Sequence, residues 1–233
     1  ECSKTGTLYL PDRLYNLSPE TAAPLLVRYQ FKSMNLNRES LLGRGSSMWR
    51  YREVLPNIES EEIVSLGEGW TPLISLHRLS ERWDFRHLYL KNEAQNPTGS
   101  FKDRGLSAAV TMARKLGAKR LAIPTAGNAG GSLAAYGAKA GLKVDVFMPY
   151  DTPQINLQEC VAAGATVTLV DGLISDARQV MIESIKGKNC FDVSTLREPY
   201  RIEGKKPWDT NWLNSLSGTY PILFFTLLEG GLA

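Results

Sequence analysis

The sequence predicts an α/β fold built on a doubly wound parallel sheet. Three observations carry that expectation. Between about residues 86 and 193 short apolar runs alternate with stretches of helical period. The intervening stretches are long enough for crossover connections, so successive strands return parallel. The two loops richest in turn and polar residues, 92–101 and 124–128, fall where ligands sit in such sheets, beyond the carboxyl ends of the strands.

Taken in order, His87-Leu88-Tyr89-Leu90 reads as a strand. Residues 102–116 read as a helix with Ser100 placed to cap it. Arg120-Leu121-Ala122-Ile123 is a strand, and 129–140 a helix of small residues ending at Gly141. Residues 144–148 form a strand, 152–163 a helix, 166–170 a strand and 175–185 a helix. Phe191-Asp192-Val193 closes the set as a short strand. Residues 1–60 lack this alternation and read as an N-terminal extension on the main body, with short strands and a helix near 40–54.

Composition narrows the function. Hydrophobic residues make up 43% and charged residues 22% of the 233, an ordinary globular balance. With 27 basic against 24 acidic residues the net charge is only +3, and no basic block is interleaved with aromatics. A nucleic-acid surface is therefore not expected. No apolar run is long enough to span a membrane; residues 220–228 are the most apolar. The chain begins at Glu1, so a targeting segment could precede it; a cytoplasmic location is expected, or an organelle if such a segment exists. Three cysteines, Cys2, Cys160 and Cys190, make no disulfide framework and suit a reducing compartment. They read as buried structural thiols.

Chemistry concentrates in two loops. In Asn96-Pro97-Thr98-Gly99-Ser100-Phe101-Lys102-Asp103-Arg104-Gly105 a turn delivers a lysine into the first turn of a helix. The positive end of the helix dipole lies there, so the pKa of Lys102 is expected to be depressed. An amine that is neutral part of the time can condense with an aldehyde cofactor. The alternative is a surface lysine snorkelling beside Asp103. In Pro124-Thr125-Ala126-Gly127-Asn128-Ala129-Gly130-Gly131-Ser132 a strand passes into a helix. Backbone N–H groups there would face an anion such as a substrate carboxylate. Gly127 lets the backbone come close, and Asn128 offers an amide to a phenolic oxygen. A glycine-rich turn that only packs a helix is the competing reading.

Together with Gly67-Glu68-Gly69-Trp70-Thr71-Pro72-Leu73, these loops resemble the threonine synthase family in order and spacing. The similarity runs from about residue 42 to 206, and Trp49-Arg50-Tyr51 looks like the family too. The resemblance implies a fold-type-II pyridoxal 5'-phosphate enzyme, tryptophan synthase β-like, with an incomplete large domain. It divides the chain into an extension (1–60), the start of the large domain (61–105), a small α/β domain (106–200) and an aberrant tail (201–233). Lys102 would bond the cofactor and later shuttle protons, Asn128 would hydrogen-bond its ring oxygen, and Phe101 would shape its surroundings. Thr125, Ala126 and Gly127 would help hold the substrate α-carboxylate. The reaction would turn O-phosphohomoserine and water into threonine and phosphate, and a full-length relative would be a homodimer. Cysteate synthase, threonine dehydratase and a non-catalytic remnant remain as other readings.

Asp103 and Arg104 read as a local ion pair that positions the helix. His77 and His87 have no partners at ligand spacing and read as structural. Some relatives begin with a Cys-x-x-Cys knuckle; here Thr5 stands at the second position and residues 18–24 hold no cysteine. One thiol cannot make a four-ligand zinc site, so none is expected.

After Gly204-Lys205-Lys206 the family pattern stops. Lys-Lys-Pro-Trp-Asp-Thr-Asn-Trp-Leu-Asn can be back-translated so that one restored A gives KKTMGYELAE. The same frame turns the later stretch into LPD and then YPTGGGTG, a loop of the type that cradles a phosphate. Residues from about 207 onward are therefore expected to be out of frame, and the chain as written to be inactive and poorly soluble.

Overall fold

The computed structural model describes residues 1–30, 39–85 and 87–207, together with the backbone of 224–226. Its centre is a four-stranded, wholly parallel sheet of β3 (Arg120–Pro124), β4 (Lys143–Pro149), β5 (Thr166–Val170) and β6 (Phe191–Asp192), in the order β5-β4-β3-β6. Helices α2 (Lys102–Lys115), α3 (Ala129–Ala140), α4 (Gln154–Ala162) and α5 (Ile174–Ile185) alternate with these strands.

Strand alternation sorts the core onto two faces. Leu121, Ile123, Val144, Val146 and Met148 point to one side, where they meet Leu106 and Ala109 of α2, Leu133 of α3 and Cys160 of α4. Ala122, Phe147 and Val170 point to the other, against Ala177 and Met181 of α5. A parallel sheet covered on both faces is the doubly wound arrangement that the periodicity predicts. Helix α3 matches its expected span and closes on Gly141 in the left-handed region at φ +70°. Strand β5 matches residue for residue, and the other expected elements of this region shift by one or two residues.

After β6, the short helix α6 (Tyr200–Glu203) folds back onto α2. The crossing is set by two glycines. A Cβ on Gly105 would lie 2.7 Å from the Arg201 carbonyl oxygen, and one on Gly204 would lie 2.1 Å from that of Arg104. Only residues without side chains let the two backbones approach so closely.

A second sheet pairs β1 (Leu73–Ser75) antiparallel with β2 (Tyr89–Lys91), and β2 parallel with the backbone of β7 (Phe224–Thr226). Helix α1 (His77–Arg82) connects β1 to β2. The expected strand at 87–90 thus moves two residues on at its start, and His87 stacks on Tyr89 with ring centroids 6.4 Å apart.

The extension differs from expectation. Its described strand pairing consists of isolated bridges, Cys2 to Leu25 and Leu17 to Pro24. The expected helix near 40–54 is a pair of 3-10 segments, Glu39–Leu41 and Met48–Val54, with non-helical backbone at Tyr51. Its sequence alternates at neither helical nor strand period, and it is held by turn hydrogen bonds such as Cys2 N–H to the Thr7 carbonyl, by the Arg44–Glu53 pair, and by Met48, Trp49 and Leu55 in the apolar core. Residues 208–223 and 227–233, where the frame reading falls, lie outside the described residues.

Candidate active site

The approach to Lys102 begins at β2. A 3-10 turn, Glu93–Gln95, leads into Pro97-Thr98-Gly99-Ser100; Gly99 takes φ +69°, and its N–H donates to the Asn96 carbonyl at 2.8 Å. Ser100 is fully buried and its hydroxyl oxygen accepts the Lys102 N–H at 3.1 Å, but the N-cap position falls on Phe101, so Ser100 stands one residue before the cap expected of it. Lys102 is the first residue of α2 and half-buried, with its Nζ 3.9 Å from the centre of the Phe101 ring. Lys205 Nζ reaches the same ring at 5.1 Å. Phe101 is therefore an apolar surface shared by two ammonium groups, which screens Lys102 from water on that side.

Asp103 and Arg104 are not a pair. Each is buried and each has other partners, because neighbours on a helix point in different directions. Arg104 Nε and Nη2 form a fork on Glu93 at 2.7 and 2.8 Å, and Nη2 also approaches the Thr71 hydroxyl at 3.3 Å. Glu93 further accepts from Thr71 at 2.6 Å and from the Asn96 amide at 2.9 Å. Burial acts to raise the Glu93 pKa, but Arg104 and these donors hold it below the ordinary carboxylate value. Asn96 also accepts the Gly69 N–H at 3.0 Å, binding the 67–73 segment to the start of the lysine loop. Asp103 accepts from the Thr98 N–H at 2.8 Å and from the Thr98 and Ser132 hydroxyls, both at 2.5 Å.

The second loop leaves the carboxyl end of β3, as expected for a ligand loop. The Thr125 hydroxyl donates to the Gly127 carbonyl at 3.0 Å and accepts the Gly127 N–H at 3.1 Å. Its own N–H continues the sheet, donating to Phe147 at 2.9 Å. Thr125 is thus a buried brace that sets the loop's shape, while Ala126 is exposed and Gly127 and Asn128 are half-buried. Asn128 immediately precedes α3, and the Asp103–Ser132 hydrogen bond brings the head of that helix to the head of α2, where Lys102 begins.

These residues suit an aldehyde cofactor with a phenolic oxygen. A Cβ on Gly127 would meet only the Asn156 amide, at 3.9 Å, so the loop leaves room above it. The next glycines do the opposite: a Cβ on Gly130 would crowd Thr125, Cys160 and Met148 at about 3 Å, and one on Gly131 would lie 2.7 Å from Glu159. Gly127 therefore keeps space open, and Gly130 and Gly131 let α3 sit tightly on β4 and α4. Such a cofactor would need an amine, which Lys102 offers beside the Phe101 ring, and an amide, which Asn128 carries.

Two groups that hold the site were not assigned from sequence. Glu68, within the quoted Gly-Glu-Gly-Trp motif, is fully buried and accepts from five donors: Trp49 Nε1 (3.0 Å), Ser107 (2.5 Å), Tyr136 (2.7 Å), Ser65 (3.0 Å) and the Leu66 N–H (3.0 Å). Lys91 is also buried and donates to the Thr71 carbonyl. Burial first, then Arg104, lowers its pKa to about 8 against the opposing pull of Glu93.

Among the described residues no group of three or more His, Cys, Asp or Glu side chains converges as metal ligands. Cys2 is buried with its sulfur 3.3 Å from the Thr21 hydroxyl. Burial pushes the Cys160 thiol up to about 12 and the Cys190 thiol up to about 11. No described helix is long and apolar enough to cross a membrane.

The doubly wound parallel sheet is the fold that comparison with known proteins also finds. The Pyridoxal-phosphate dependent enzyme family matches residues 64–208, and the chain belongs to that family. Its cofactor is pyridoxal 5'-phosphate. The chain is 36% identical to the threonine synthase of Methanocaldococcus jannaschii over 208 residues, covering 88% of this chain and 51% of the relative. It is 40% identical to that of Halalkalibacterium halodurans over 166 residues, covering 69% and 46%. The chain thus spans about half the length of the relatives it matches. Among solved structures, apo diaminopropionate ammonia lyase of Escherichia coli superposes with TM-score 0.61 at 18% identity, covering 68% of this chain and 51% of that one. Maize serine racemase superposes with TM-score 0.59 at 18% identity, covering 63% and 45%. Both describe the shared fold.

Proposed function

We propose that the protein represented by this chain is a threonine synthase, converting O-phosphohomoserine and water into threonine and phosphate. The observation that carries the reading is the segment Asn96–Arg104, which sets Lys102 at the head of α2 with Phe101 beside its amine and Asp103 bonded across to α3. The similarity to threonine synthases over most of the chain supports this reaction among those of the family.

The cofactor, when bound, supplies an electron sink for charge at the substrate carbons. This chain's residues do the rest. The Lys102 amine holds the cofactor's aldehyde carbon and carries protons at the substrate carbons. Asn128 donates to the cofactor's ring oxygen, and Phe101 keeps water from one side of the amine. Ala126 and Gly127, in the shape that Thr125 braces, receive the substrate α-carboxylate at the head of α3.

The family match ends at residue 208, and we read the residues from about 207 onward as out of frame. On that reading the 233-residue chain is inactive, and its frame-restored counterpart is active. Phosphate release from O-phosphohomoserine by both proteins is the test. Release by the frame-restored protein alone is expected. Turnover of phosphoserine and sulfite without release from O-phosphohomoserine would assign the scaffold to cysteate synthesis. Release by the 233-residue chain itself would overturn the frame reading.

A further inference from the structure

Asp103 is fully buried, yet among the described residues it forms no ion pair, because the adjacent Arg104 is engaged by Glu93. Complementing the α2 dipole does not by itself require burial, since exposed carboxylates in a first helical turn do so too. Burying one is unfavourable unless its hydrogen bonds compensate. Desolvation accordingly raises its pKa, with the Ser132 and Thr98 bonds working against the rise. The three donors come from two places. Two belong to Thr98, in the turn that presents Lys102; the third is the hydroxyl of Ser132, in the first turn of α3. Ser132 is tied in turn to Asn128, whose carbonyl accepts the Ser132 N–H at 3.1 Å.

Lys102 and Asn128 are therefore linked by one peptide bond, one buried hydrogen bond and one helical turn. From this geometry we infer that Asp103 is a positioning residue, which sets the separation of the Lys102 amine from the Asn128 amide by clamping the turn 97–100 to the head of α3. The inference rests on the cofactor roles proposed above for Lys102 and Asn128. The clamp itself is a property of the protein alone.

Two readouts test it. In Asp103→Asn an amide meets three donors, so amide hydrogen exchange without cofactor should accelerate about tenfold in both 97–100 and 125–131. Ser132→Ala, the milder change, should accelerate 125–131 and leave 97–100 at the parental rate; it decides the matter if Asp103→Asn does not fold. With pyridoxal phosphate added, Asp103→Asn should lower borohydride-trapped label on Lys102 and shift the bound cofactor's absorbance band in the direction that Asn128→Ala shifts it. A merely structural role would lower the melting temperature without that shared shift. Parental exchange in 125–131 in both variants, or parental labelling with a parental band in Asp103→Asn, would overturn the inference. Absence of label on Lys102 in the unsubstituted frame-restored protein, in which the labelling is done, would instead overturn the cofactor reading, and the exchange rates would still judge the clamp.

Discussion

The α/β layer from Lys102 to Val193 and the segment from Met48 to Asn96 are held together by opposite means. In the first, parallel ladders and two apolar faces do most of the work, and buried charges are few between Leu106 and Val170. In the second, the elements are 3-10 turns, three-residue strands and the six-residue helix α1, and buried polar side chains join them beside a few core residues such as Met48, Leu55 and Val64. Glu68 gathers five donors, and Glu93 links Arg104, Thr71 and Asn96. The contrast shows how the candidate site of this chain is held. The apolar layer supplies a rigid sheet end, and the polar segment pins the lysine loop to it.

The strongest way to break that contrast is to remove Glu68. Glu68→Ala leaves Trp49, Ser107 and Tyr136 without their shared acceptor in a dry interior. A loss of roughly 3–5 kcal/mol in unfolding free energy is expected by denaturant titration. Amide exchange should show residues 47–71 opening before the sheet does.

Next is a pH effect confined to the polar segment. The Lys91 pKa is about 8 when folded, whereas an unfolded lysine titrates near 10.5. Between these values the unfolded chain binds more protons, so stability should rise with pH from about 8 to 10.5. The gain is on the order of 3 kcal/mol. Equilibrium unfolding across that range should show the rise, and Lys91→Met should flatten it.

A smaller effect is expected where the two regions are joined to α6. Gly204→Ala drives a methyl into the Arg104 carbonyl, and both sides of that contact are backbone. A loss of about 1–3 kcal/mol is expected by thermal unfolding, with α2 and α6 the elements that loosen in exchange.

The same contrast explains what could be read from the amino acids alone. Helix α3 and strand β5 were legible because each carries its own period and stop signal, such as Gly141 at the end of α3. Lys102 and Asn128 stood out as candidates because each lies in a compact local motif. The partners of Asp103 and Arg104 were not. A carboxylate beside a guanidinium in sequence suggests a pair, but the helix turns them apart, to Ser132 and Glu93, 29 and 11 residues away. Glu68 was visible in its motif without its role, since its acceptor work involves Ser107 and Tyr136, 39 and 68 residues away. The 3-10 turns of 39–54 read as helix because the pattern there does not separate a three-residue from a 3.6-residue turn.

The central claim is that Lys102 is the amine that holds the cofactor. The direct measurement is reduction with borohydride after adding pyridoxal phosphate, followed by mapping of the modified peptide. The account predicts one labelled site, Lys102, lost in Lys102→Ala, with Lys205 and Lys206 unmodified. Label on another lysine with Lys102 untouched, or equal label in Lys102→Ala, would contradict it.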